Sequence, residues 1–155
     1  MTAGEFVDGR PMESVAIVAL LTAPGPRPAA LLLSGEAGIG KSSLVNLAIQ
    51  LAASRSLRTL VATPSEMGSR APFAVVTDLT AGLNALVEDL PVPQRRALRV
   101  ATLDEAPGSG LLEPHAVGVA VRNVFLTLAS RGPLVLVIDD AHWVDEASRW
   151  VFEPY

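Results

Sequence analysis

Three glycines, a lysine and a serine occur together at Gly35, Gly38, Gly40, Lys41 and Ser42, in the string Gly35-Glu-Ala-Gly-Ile-Gly-Lys-Ser42. The order satisfies G-x-x-x-x-G-K-[ST], and each part has a physical task. Glycines let the backbone curl so that successive N–H groups converge on an anion with no Cβ in the way. A helix starting there adds unpaired N–H groups and the positive end of its dipole. Lys41 supplies a mobile charge for the β and γ phosphates of a nucleotide, and the Ser42 hydroxyl a ligand for Mg²⁺. On this reading the cradle runs through Gly35, Glu36, Ala37, Gly38, Ile39, Gly40, Lys41, Ser42 and Ser43, and the pattern fixes no task for the Glu36 side chain. Lys41 is the only lysine among 12 basic residues. The one ammonium falls where a compact charge must reach a phosphate from a confined loop.

A second constellation is Leu134-Val-Leu-Val-Ile-Asp-Asp140. It is an apolar run that ends in two acids. At the C-terminal end of a parallel strand such residues face the ligand crevice. There Asp139 could hold the Mg²⁺ shell, and Asp140 could orient or deprotonate a water that attacks the γ-phosphate. Many strands end in Asp as a turn or helix cap, so the pair gains meaning from the glycine loop upstream. Lys41 and Asp140 are the catalytic candidates, and Ser42 and Asp139 the metal ligands.

The elements that must carry these residues can be read from periodicity. Pro11 to Thr22 reads as a helix, apolar nearly all round and so expected to be largely covered. Ala23 to Pro28 is a loop. Ala29 to Leu33 reads as a short buried strand leading into the glycines. Leu44, Val45, Leu47, Ala48, Leu51 and Ala52 mark one face of a helix starting at Lys41. Thr59 to Thr63 is a strand, and Ser65 to Pro72 a loop. Phe73, Val76, Leu79, Leu83, Leu86 and Val87 mark one amphipathic helix, with a short helix from Gln94 to Thr102 after it. Asp104 to Pro114 is a surface loop. Val117 to Leu128 lies on a helix closed by Gly132-Pro133. Leu134 to Ile138 is the clearest buried strand, and a last helix starts near Asp145. Strands alternating with helices imply a parallel sheet covered on both faces.

Composition sets bounds. The 155 residues suit one domain, 1–155, and with 50% hydrophobic and 18% charged residues a packed core follows. A net charge of −4 disfavours a nucleic-acid surface, and Arg95, Arg96 and Arg99 fit a solvated helix face. There is no cysteine, hence no disulfide and no thiolate metal site. No run approaches the length of a membrane span, and a cytoplasmic protein is expected.

Gly35-Glu-Ala-Gly-Ile-Gly-Lys-Ser-Ser-Leu-Val45, taken with Asp139-Asp-Ala-His-Trp-Val-Asp145, resembles the ATPase domain of large LuxR-type transcriptional regulators, which are STAND-type, AAA+-related P-loop NTPases. Phe6-Val-Asp-Gly-Arg10 with Glu13 resembles that family's opening motif, with an Asp inserted before Gly9; the resemblance places Gly9 and Arg10 near an adenine. It implies ATP with Mg²⁺ as cofactors and ATP hydrolysis as the activity. The implied fold is α/β, a three-layer P-loop NTPase with a parallel sheet, here incomplete because the sensor strand and the lid are missing. Self-association or a protein partner through unpaired strand edges is then expected, with no direct nucleic-acid binding by this chain and no membrane. A truncated, marginally stable switch module with weak or no hydrolysis is the leading expectation. A small-molecule P-loop kinase and a non-catalytic remnant are the alternatives. His142 and Trp143 are expected to brace the acidic loop.

Overall fold

The computed structural model describes residues 7, 9–22, 28–36, 38–108 and 112–152. The chain divides into two compact units, Met1–Thr59 and Leu60–Tyr155. Parts of four expected segments, besides Ala37 of the glycine loop, lie outside the described residues. These are Phe6 and Asp8 of the opening motif, the loop at 23–27, residues 109–111 of the acidic loop, and the terminus at 153–155.

In the first unit, helices α1 (Pro11–Thr22) and α2 (Lys41–Ser54) pack on each other. Pro11 stands at the first position of α1, where its missing N–H has no intrahelical partner to lose. The helix buries only Ser14, Ile17 and Leu21, one narrow stripe, while Met12 and Val15 are exposed. The expected all-round cover is therefore absent; an apolar sequence alone cannot say how many neighbours a helix has. Helix α2 buries Leu44, Leu47, Leu51 and Ala52, the face that its periodicity marks.

Residues 28–36 form neither helix nor strand, with Leu32 83% exposed. The expected strand at Ala29–Leu33 is thus a correction. Five apolar residues have the length of a strand, but a strand needs a ladder partner for its N–H and C=O groups. Among the described residues this run has none.

The sheet consists of β1 (Arg58–Ala62), which crosses the boundary of the two units, and β2 (Leu134–Ile138). The strands are parallel: Asp139, just past the end of β2, donates its N–H to the carbonyl of Ala62 at the end of β1 (3.1 Å). The fold is α/β, as expected. Strand β2 is half-buried along its length with Leu136 exposed, so it is less covered than its unbroken apolar run suggests.

Between the strands lie α3 (Ala74–Thr80), α4 (Asn84–Glu88), α5 (Val92–Ala101) and α6 (Pro114–Ser130), with α7 (Glu146–Phe152) after β2. The single helix expected over Phe73–Val87 is two helices. Ala81 leaves the helical region at ψ 129°, and Gly82 takes φ +76°, which a glycine adopts without strain. Helix α6 is the centre of the second unit. It buries Val117, Ala120, Val121, Val124 and Leu128, a regular 3.6-period stripe, and packs against α4, α5, α7 and β2. Helix α5 adds Ala97, Leu98 and Ala101, while its arginines turn to acids. Arg99 and Arg95 pair with Glu88, and Arg96 with Glu105.

Leu98 is 1% exposed within this cluster. Leu98→Ala should lower the unfolding free energy by about 2–5 kcal/mol in urea denaturation. Leu126→Ala, at an exposed position of α6, should stay within about 0.5 kcal/mol of the native chain.

Candidate functional site

The glycine loop closes over its own lysine. Lys41 Nζ donates to the carbonyl oxygens of Gly35 (2.9 Å) and Glu36 (2.8 Å), which engages two of the three donors of an ammonium. Gly38 and Gly40 take φ +79° and +93°, and a Cβ at either would meet no atom within 4 Å. Their cost to another residue is therefore backbone strain, about 1–2 kcal/mol each. Gly40 is also the N-cap of α2 and offers no side-chain acceptor. The first intrahelical bond is Leu44 N–H to the Gly40 carbonyl (3.3 Å). The N–H groups of Lys41, Ser42 and Ser43 precede it and, among the described residues, meet no acceptor. The Ser42 hydroxyl is exposed and likewise has no partner there. Three backbone donors and an ammonium at one helix start fit an anion, and phosphate is the anion this arrangement suits. Ala37 lies outside the described residues.

Arg10 reaches the same loop. Its guanidinium donates to the Ile39 carbonyl (2.9 Å) and to Glu13 (2.8 Å). The hydrogen bond from Arg10 holds the Glu13 carboxyl below its ordinary value, so this pair is intact at neutral pH and is lost only as the pH falls through that lowered value. Gly9, at φ +75°, forms the exposed turn before α1. Ser14, which the sequence did not single out, pins this turn. Fully buried, its hydroxyl accepts from Val7 N–H (3.1 Å) and donates to the Arg10 carbonyl (2.7 Å).

The acidic segment belongs to the second unit. Asp139 Oδ1 accepts from the N–H of Asp140 (2.9 Å). Asp140 takes the left-handed conformation at φ +49°, which Asp tolerates better than most residues. Its exposed carboxylate has no partner among the described residues. A one-turn 3₁₀ helix, Ala141–Trp143, follows, with the His142 and Trp143 rings 4.9 Å apart and tilted by 46°.

Asp145 ends the segment and is 2% exposed. Its Oδ1 accepts from Phe73 N–H (2.8 Å) and Ser148 N–H (2.8 Å), and its Oδ2 from Val75 N–H (3.3 Å). One carboxylate thereby caps α7, which it precedes, and α3, whose N-cap Phe73 has no capping side chain of its own. Ser148, also buried, accepts from Val76 N–H (3.2 Å). An Asp ahead of a helix with Ser three residues on is a capping signal in the sequence; the 72-residue reach to Phe73 is not.

No cluster of three or more His, Cys, Asp or Glu suited to a metal exists among the described residues. Mg²⁺ in phosphate-transfer sites is held by one or two protein oxygens and the phosphates themselves, and Ser42 and Asp139 are oxygen donors of that kind. A cavity of about 390 Å³ in the second unit is lined by residues such as Thr80, Glu88, Leu98 and Arg99, and by none of the glycine-loop or acidic-segment residues.

A glycine loop at a helix start with its lysine, and a parallel strand ending in two acids, define the P-loop class of nucleotide-binding domains. The profile of the AAA ATPase domain matches residues 7–153. The chain belongs to that family of nucleotide-binding ATPase modules. Comparisons with curated proteins and with solved structures give no match. No described helix is long and apolar enough to cross a membrane.

The carbonyls of Gly35 and Glu36 are exposed, so water can replace the ammonium there. Lys41→Ala should therefore change the thermal midpoint by no more than the equivalent of about 1 kcal/mol, as read by circular dichroism.

Proposed function

We propose that the chain is an ATP- and Mg²⁺-binding switch module with at most weak ATP hydrolysis by itself, part of a cytoplasmic transcriptional regulator of the LuxR, STAND-type class. The observation that carries the reading is the α2 start. An ammonium and three backbone donors without acceptors among the described residues stand together there, with Gly38 and Gly40 open to any approaching group. In this reading the N–H groups of the loop and of Lys41, Ser42 and Ser43 take the phosphate oxygens. Lys41 would exchange a loop carbonyl for the γ-phosphate, and Arg10 occupies the Ile39 carbonyl with its hydrogen bond.

Bound Mg²⁺ would neutralise charge on the β and γ phosphates, with Ser42 and Asp139 as its protein ligands. Asp140, exposed and without a partner among the described residues, would accept the proton of a water attacking the γ-phosphate. The family match supports joining the two segments in one reaction, since it spans both. Gly9 and Arg10 are assigned to the adenine side, supported by the bond from Arg10 to the loop. The partner we propose is a second chain or a protein that adds to the sheet. Support comes from a sheet of two described strands with exposed Val61 and Leu136.

Titration with a fluorescent ATP analogue tests the division of labour. Asp139→Asn should remove most of the strengthening by Mg²⁺ and leave Mg²⁺-free binding unchanged. Asp140→Asn should bind as the native chain does but lower steady-state phosphate release by about 100-fold. Unchanged release in Asp140→Asn contradicts the base assignment, and unchanged Mg²⁺ dependence in Asp139→Asn contradicts the metal assignment.

A further inference from the structure

The acids at the end of β2 are held at one end only by the sheet. Asp139 N–H bonds to Ala62, and the chain then turns through the left-handed Asp140. Within the turn the bonds are local: Trp143 N–H to the Asp140 carbonyl (2.9 Å) and Val144 N–H to the Ala141 carbonyl (3.3 Å). His142 and Asp140 are exposed, so packing holds little of the turn besides Val144, which rests on the cluster of Ala62, Val75 and Leu79. The other end is Asp145, buried and bound by three N–H groups, two of them on the start of α3.

A buried carboxylate with fewer donors would carry a desolvation cost with no return, and this one lies between the N-terminal ends of two helices, where negative charge is favoured. The α3 start is itself fixed from a third side, through Val76 N–H to Ser148. Residues 139–145 therefore form a staple, with one foot on β1 and the other on α3.

We infer that Asp145 is the positioning residue for Asp139 and Asp140: its carboxylate, by gripping the start of α3, sets where the two acids stand. Both of its carboxylate oxygens are occupied by backbone N–H groups. Its consequence for Mg²⁺ rests on the proposed function, while its hold on residues 139–144 does not.

Amide hydrogen exchange followed by mass spectrometry separates the two. In Asp145→Ala the amides of residues 139–144 should exchange about tenfold faster or more, with α5 and α6 unchanged. Asp145→Asn keeps an oxygen for Phe73 and Ser148 and loses only the longer bond to Val75, so it should fall between the two and remains a test if the alanine variant does not fold. Ser148→Ala should loosen Val76 and leave residues 139–144 as they were, which distinguishes positioning from general capping of α3.

Unchanged exchange at 139–144 in the Asp145 variants, or a rise shared equally by α5 and α6, overturns the inference. In the ATP-analogue titration, Asp145→Asn should reduce the Mg²⁺ strengthening with Mg²⁺-free binding preserved. If the native chain shows no Mg²⁺ strengthening, the proposed function fails, and the exchange result still decides the role of Asp145.

Discussion

Each helix leaves backbone N–H groups in its first turn without intrahelical acceptors, and the way this chain meets them separates its scaffold from its site. At α3 and α7 three of these donors, on Phe73, Val75 and Ser148, meet Asp145, buried and shared between two helix starts. At α2 the N-cap is a glycine, and among the described residues the donors are left open beside the only lysine. The first arrangement costs the desolvation of a carboxylate and is offset by three charge-assisted bonds, each worth about 1.5–3 kcal/mol. The second forgoes a side-chain cap, worth about a few tenths of a kcal/mol over glycine, and leaves an anion site. Substituting a capping residue at Gly40 would meet an N-cap at φ +93°, strained for any side chain.

The core around these helix starts is organised by α6, whose buried stripe meets α4, α5, α7 and β2. That packing holds β2, and the bond from Asp139 to Ala62 anchors the first end of the segment 139–145. From there the chain is carried by backbone bonds to Asp145. A buried polar contact thus finishes what the apolar core begins, and no described buried side-chain polar atom is left without a partner.

Local rules made much of this legible. Helix α1 and strand β2 have the bounds that Pro11, the apolar run at 134–138 and its flanking Gly132-Pro133 dictate. The glycine loop was readable because its pattern encodes backbone conformation directly. The misreadings share one cause. The run at Ala29–Leu33 looked like a strand, the face of α1 looked covered, and Phe73–Val87 looked continuous. Each depends on a partner or a break that hydrophobic periodicity does not carry. The role of Asp145 was hidden for the same reason: its acceptors serve N–H groups 70 and 72 residues away. Lys41, by contrast, bonds within its own loop, where spacing is enough.

Isothermal titration of the native chain and of Lys41→Ala with ATP and Mg²⁺ tests the central claim most directly. The account predicts one saturable site per native chain and a loss of affinity of about tenfold or more in the folded variant. No heat of binding in the native chain, or equal affinity in both, would contradict it.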